Sequence, residues 1–313
     1  MEEQKQSNSS SITSWLGKAP SWKFSIYAMG FAFATYFCMY AFRKPFGAAT
    51  FDGLEFLWGI NLKTAFVIGQ IIGYTLSKYY GCKYCSEIGR NQQAKALVLM
   101  IVIAEAALLG FALLPGNLKV LAIFINGLPL GMVWGLVSRY LEGRKTAELL
   151  FAGLSCSYIV ASSSVKTIGG WVMQAGVTEF WMPATVGAVF FIPFVIAVFF
   201  LNQLPEPSTA DISSRSERTV MDRGSRSTFF RQFMGGMIML LVLYFFLTAY
   251  RDVRDMYMPE VFKVLGYGPS PTLFSQADWP IAFGIMVVMA LLNLAKDHRR
   301  GLTAVFAVMM SGM

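Results

Sequence analysis

One histidine and four cysteines occur in 313 residues, and only 14% of the chain is charged. A lone His298 excludes a Ser-His-Asp or Cys-His catalytic arrangement. Cys82-Lys-Tyr-Cys85 has redox or metal spacing. A zinc site there would need two further ligands, and no second cysteine pair stands near it. The cysteines build no disulfide framework and are read as incidental. No Gly-rich loop ending in Gly-Lys-Ser/Thr appears, so direct ATP coupling within this chain is not expected. No catalytic set, cofactor or metal is therefore expected, and the chain is not read as an enzyme. The scarcity of charge excludes an ordinary soluble domain, which carries about 25% charged residues.

What is present is apolar: 55% of residues are hydrophobic, and mean hydropathy is +0.52. That composition predicts an all-α polytopic membrane protein. Apolar runs that would serve as spans lie near 24–47, 61–82, 95–114, 118–138, 149–173, 181–203, 233–255, 279–296 and 301–313. Residues 1–23 read as a polar, serine-rich cytoplasmic tail, and 24–203 as a six-helix bundle. Residues 204–230 read as a flexible cytoplasmic linker, and 231–313 as the start of a second bundle. The last run stops at Met313 after 13 residues, too few to cross a bilayer well. A fragment lacking most of the last four helices is expected, with a re-entrant end as the alternative.

The net charge of +8 does not point to nucleic acid, because the basic residues sit in short loops. One side carries Lys83, Arg90, Lys95, Arg139, Arg144, Lys145, five arginines between 202 and 231, Lys296, Arg299 and Arg300. The other has little more than Lys63, Lys119 and Lys263. The positive-inside rule places the N-terminus and the linker in the cytoplasm, and a bacterial inner membrane is expected. Trp22, Trp58, Trp171, Trp181 and Trp279 fall near the expected interfaces.

A repeated pattern carries the functional signal. Tyr36-Phe37-x-x-x-Ala41-Phe42-Arg43 is matched 208 residues later by Tyr244-Phe245-x-x-x-Ala249-Tyr250-Arg251. Each arginine follows a basic residue, Lys23 or Arg231, by 20 positions. Along a helix that is roughly 30 Å, at ~1.5 Å per residue. Arginine in lipid is costly and usually faces a cavity or a partner. Two at equal depth suggest duplicated halves presenting positive charge to one central site. The plainer alternative is that Arg43 and Lys44 mark the end of the first span and snorkel to the interface. Tyr36, Tyr40 and Phe42 would line a cavity wall.

Arg254 shares a face with Arg251, while Asp252 and Asp255 stand beside them. An Arg251–Asp255 pair would neutralise that helix end, or would act as a lock that an entering anion displaces. Lys78 points to the cavity or snorkels. Lys166, among Ser162, Ser163, Ser164 and Thr167, is expected on a wet or tightly packed face, with Tyr158 two turns earlier. Gly127, Gly131 and Gly135, like Gly69 and Gly73, have the spacing of close helix packing. Pro183, Pro205 and Pro259 are expected near helix ends. The remaining acidic residues are assigned to loops.

These motifs are similar to those of the major facilitator superfamily, and within it of the organophosphate:phosphate antiporters. The resemblance rests on Arg43-Lys44-Pro45-Phe46, on Tyr74-Thr-Leu-Ser77-Lys78, on Met182-Pro183-Ala184, and on Arg251 preceding Pro259 by eight residues. It implies two six-helix halves, with Arg43 and Arg251 gripping a substrate phosphate and Lys78 nearby. Tyr158 lies close to the position where the family often has a histidine, and Lys166 and Arg254 are additional. The expectation is a monomeric secondary transporter exchanging small anions by alternating access. A proton-coupled permease for a neutral or zwitterionic solute, with Asp252 or Asp255 titrating, is one alternative. A transporter-like membrane sensor signalling through the linker is another.

Overall fold

The computed structural model describes residues 11–208, 211, 223–268, 270–292 and 298–311, and these are helical with no strand among them. Part of the expected linker (209–210 and 212–222), residues 293–297 with Lys296, and the end of the last run lie outside the described residues; the stretch 223–230, expected as flexible linker, is helical instead. Among the described residues, five helices are long and apolar enough to cross a membrane, which makes this an all-α integral membrane protein.

A short helix, α1 (Ser11–Lys18), precedes α2 (Ser21–Tyr40). The tail is thus not wholly free: Leu16 is buried, and the Thr13 hydroxyl donates to the Gln203 carbonyl at 3.0 Å. Four long helices follow: α3 (Leu62–Glu87), α4 (Arg90–Leu113), α5 (Leu118–Leu141) and α6 (Ala147–Gln174). Then come α7 (Met182–Asn202), α8 (Arg223–Met256), the short α9 (Met258–Val264), α10 (Thr272–Leu292) and α11 (His298–Ser311).

The expected first span, 24–47, is corrected: its helix stops at Tyr40. Lys44 keeps helical backbone (φ −105°, ψ −15°), but Pro45 has no N–H to give the Ala41 carbonyl and its ring crowds that oxygen, so the chain turns through 41–44 into a 3-10 turn at Pro45–Ala48. The carbonyls freed at that helix end are capped from neighbouring helices. Gln70 of α3 donates to the Arg43 carbonyl, and Asn126 of α5 donates to the Phe42 carbonyl, each at 3.0 Å. Asn126 also donates to Ala104 O and accepts from Gln70, tying four elements at one point.

α3 and α5 pack on their glycine rows. A β-carbon on Gly73 would collide with the Phe124 carbonyl, and one on Gly127 would lie 2.6 Å from the Gln70 carbonyl. Only glycine permits that backbone approach, as the spacing predicts. At the 41–61 end, Phe51 fills the space between Phe66, Phe111 and Phe180. Lys119 is buried there because it caps the α4 carbonyls of Phe111 and Ala112 at 2.8 and 3.1 Å.

Pro183 and Pro259 occupy first-turn positions, where a missing N–H is harmless. The eighth expected span, 279–296, is corrected at its start. α10 begins at Thr272 and carries Pro280 inside. Its polar first turns are tolerated because they find partners on α6 and α8. Ser275 and Thr167 hydroxyls lie 2.7 Å apart, and Asp278 meets Arg254 at 3.4 Å.

Candidate functional site

Arg43 emerges from the 41–44 turn with only 9% of its surface exposed. Its guanidinium lies 3.9 Å from the centre of the Tyr74 ring, and Lys78 Nζ lies 4.9 Å from the same centre. Arg43 Nε is buried and has no hydrogen-bond partner. No carboxylate lies within ion-pairing distance of it among the described residues.

Arg43 opens onto a cavity of about 640 Å³ that brings together most of the residues singled out from sequence. Tyr40, Lys44, Tyr158 and Ser162 form one wall; Arg251, Asp252, Arg254, Asp255 and Asp278 form the other. Leu247, Tyr250, Ile159, Ile281 and Ile285 complete it. Lys78 is exposed and Tyr74 is half-buried; neither lines the cavity, although Tyr74 supports Arg43 from behind.

The carboxylates are arranged differently from the sequence expectation. Arg251 pairs with its neighbour Asp252 at 3.4 Å, not with Asp255. Asp255 turns instead to Lys44 of the 41–44 turn and to α6. Lys44 Nζ donates to its Oδ2 at 2.6 Å; Lys166 Nζ and the Ser162 hydroxyl donate to Oδ1 at 2.7 and 2.6 Å. Lys166, fully buried, also donates to the Asp255 main-chain carbonyl at 2.8 Å. That carbonyl belongs to the last turn of α8 and would otherwise be an orphan acceptor. Charged pairs survive burial only when their hydrogen bonds are filled, and this knot fills them.

Lys166 therefore occupies the tightly packed alternative and is not part of the cavity lining. A second hollow of about 530 Å³ lies on the far side of the knot. It is lined by Thr50, Asp52, Lys263 and Phe274, the last with its ring centre 5.6 Å from Lys166 Nζ.

Further links gather at the same end. Lys63 Nζ meets Glu260 at 2.6 Å, the Thr64 and Tyr257 hydroxyls lie 2.7 Å apart, and Lys263 meets Asp52 at 3.1 Å. On Asp52, an exposed loop residue, the hydrogen bond from Lys263 holds the carboxyl below the usual range.

Counting charge around the cavity and knot, Arg43, Lys44, Lys166, Arg251 and Arg254 face Asp252, Asp255 and Asp278. Five cations against three carboxylates leave an excess of two positive charges. Arg43 is the cation without a counter-ion.

Sequence reasoning missed Lys44, Ser162 and Asp278. Lys44 stood in the Arg43-Lys44 pair and Ser162 in the serine run, but nothing local marked them as partners of a residue about 90 or 210 positions away. The assignment of other acids to loops is corrected: Glu105 lies within α4 and Asp278 within α10, while Glu87, Glu148 and Glu260 stand in the end turns of α3, α6 and α9.

No curated protein and no solved structure matches this chain. A family model does match, over residues 45–313, and on that extent the chain belongs to a family of unknown function, DUF5690.

Proposed function

We propose that the protein is a secondary transporter of major-facilitator plan, with two helix bundles and nine spans in this sequence, that exchanges small anions by alternating access. The substrate class is phosphate or an organophosphate. The observation that carries this reading is Arg43: a buried guanidinium on a cavity wall, stacked on Tyr74, with Nε unpartnered and no carboxylate to neutralise it. Burying an unpaired charge is costly, so the counter-ion comes from outside. Guanidinium presents a planar fork suited to phosphate oxygens. The excess of two charges suits a dianion, and a phosphate group carries about −1.5 to −2 at neutral pH. Arg251 and Arg254 face the same cavity from the second bundle, so a bound anion would draw the bundles together.

With the N-terminus in the cytoplasm, the Asp255 knot and its neighbouring links close the outer end, and the cavity is reached from inside. Asp252 and Asp255 act as gating partners rather than ligands. Tyr40 and Tyr158 shape the wall, and Lys78 adds positive potential near Tyr74.

The test is counterflow of labelled phosphate into proteoliposomes holding the full-length protein. Wild type should take up label only when preloaded with phosphate. Arg43→Lys should lose exchange by at least about tenfold, because a point charge lacks the fork. Arg251→Lys should lose it too. Wild-type rates in both lysine variants would sink the proposal.

A further inference from the structure

Glu105 is the acidic residue that the anion site does not use. It lies about two-thirds of the way along α4, a helix apolar enough to cross a membrane. Its Oε2 is buried and has no hydrogen-bond partner. The carboxyl packs against Gly187 of α7, so closely that a β-carbon there would collide with Oε2. That β-carbon would also stand 3.0 Å from Cδ and 3.2 Å from Phe42 Cδ1. Gly187 abuts the carboxyl and the Phe42 ring lies against the same point of α7, so in this half-buried residue Oε2 sits in an apolar slot out of water.

No cation answers it from the elements around it. α7 has no ionisable side chain from Met182 to Asn202. α5 carries Lys119 and Arg139 at opposite ends. The first is used on the Phe111 and Ala112 carbonyls, the second on those of Cys85 and Ile88. The remaining titratable group of α5, Tyr140, bonds to Asn202 at 3.0 Å. On α4, Arg90 and Lys95 are ten or more residues away, at least roughly 15 Å along the helix. From α2 and the 41–44 turn after it, the ring of Phe42 reaches the slot. Tyr36 and Tyr40 face each other, and Cys38 contributes a neutral thiol. Arg43 and Lys44 are turned to Tyr74 and Asp255.

An ionised carboxylate in lipid, with neither a cation nor a full set of donors, is much more costly than the neutral acid. We infer that Glu105 is a proton-binding site: its carboxyl holds a proton while Gly187 and Phe42 enclose it, and releases that proton to water when the slot opens. The slot is tied to the cavity. Asn126 holds both the Ala104 carbonyl, next to Glu105, and the Phe42 carbonyl, next to Arg43. Opening the slot therefore moves the turn that places Arg43, and the proton becomes a second ligand of the cavity's first wall. This goes beyond anion exchange and does not rest on it, since the proton can be read with no anion present.

Infrared spectroscopy of the full-length protein in lipid vesicles tests it. Wild type at neutral pH should show a protonated-carboxyl C=O band above the amide I region that shifts in deuterium oxide. Glu105→Gln should lose that band, and in wild type it should fade as pH rises.

A second measurement needs no variant. A hydrophobic carbodiimide reacts with a protonated buried acid. The carboxyl O–H adds across a C=N bond, and the acyl group then migrates to nitrogen. Peptide mass spectrometry should find that adduct on Glu105, several-fold less of it at alkaline pH. A wild-type band identical to that of Glu105→Gln at neutral pH overturns the inference. So does carbodiimide labelling that spares Glu105 at every pH.

Discussion

The two arginine-bearing segments share a pattern and almost nothing else. In 36–43, Tyr36 is 4% exposed, Phe42 is fully buried and Arg43 sits on a turn. In 244–251, Tyr244 is 63% exposed, Phe245 is exposed and Arg251 lies within a continuous helix. Proline position explains the backbone. Pro45 follows Arg43 by two residues and ends the helix before it. Pro259 follows Arg251 by eight and leaves α8 intact to Met256. Packing explains the rest. The first segment is surrounded by α5, α6 and α7, whereas the apolar window of α8 has no buried residue. A local pattern thus sets which residue type stands where, and the neighbours decide how tightly it is held.

The largest effects should separate the segments most clearly. Asp255→Asn would leave Lys44 and Lys166 buried with no carboxylate, a loss of ~3–5 kcal/mol. Asp252→Asn, three residues before Asp255 and paired only with an arginine whose side chain is 59% exposed, should change stability by ~0–1 kcal/mol. Thermal unfolding of both variants in detergent measures this. Equal effects would mean that the knot does not hold α8 to α6 and the 41–44 turn. By the same measurement, Tyr36→Ala should destabilise by ~3–5 kcal/mol, the range for removing a buried aromatic ring. Tyr244→Ala should stay within ~0.5 kcal/mol. A large loss at Tyr244 would break the comparison, because it would show that α8 is covered in the functional protein.

A middling effect tests why Arg43 is held and Arg251 is not. Asn126→Leu removes the donor shared by the Phe42 and Ala104 carbonyls and leaves Gln70 one acceptor short. The expected loss is ~1–3 kcal/mol, that of buried polar groups left unsatisfied. It should come with weaker anion binding through Arg43. Unchanged stability and binding would show that the 41–44 turn is fixed by Pro45 alone.

How much of this was legible depended on distance along the chain. The glycine rows were readable because small residues four apart need only local information to define a packing face. The helical class followed from apolar runs, the pairing of Arg43 with Arg251 was read from the repeat, and Arg254 from its spacing on the same helix face, whereas Tyr158 was placed by its spacing from Lys166 and by the family resemblance. The partners of Asp255 were not readable. Arg251 stands one turn away on the same helix and was the obvious candidate, yet Lys44 and Lys166 lie 211 and 89 residues away. No periodicity reports such a pairing. Glu105 was readable in principle, since it interrupts the 95–114 apolar run, but what makes it unusual is Gly187, which is silent in sequence. The start of α10 was missed because Ser275, Asp278 and Pro280 look like a loop until Thr167 and Arg254 supply their partners.

The smallest effect concerns the exposed link between the loop before α3 and α9, Asp52–Lys263, and it sharpens what the Asp255 knot does. Both side chains are largely exposed, so salt screens their attraction and the pair contributes at most ~1 kcal/mol. Its pH dependence has a fixed sign. The hydrogen bond from Lys263 keeps the Asp52 carboxyl below its ordinary value of about 3.9. The folded protein then binds fewer protons than the unfolded chain in the interval between the two values. The contribution is complete above the unfolded value and is lost as pH falls through the folded one. Asp52→Asn should therefore lower the unfolding temperature slightly at neutral pH. The gap from wild type should close in acid and in high salt. A neutral-pH loss as large as that of Asp255→Asn would mean that α8 and α9 are held to the rest of the protein at this exposed link rather than at the buried knot.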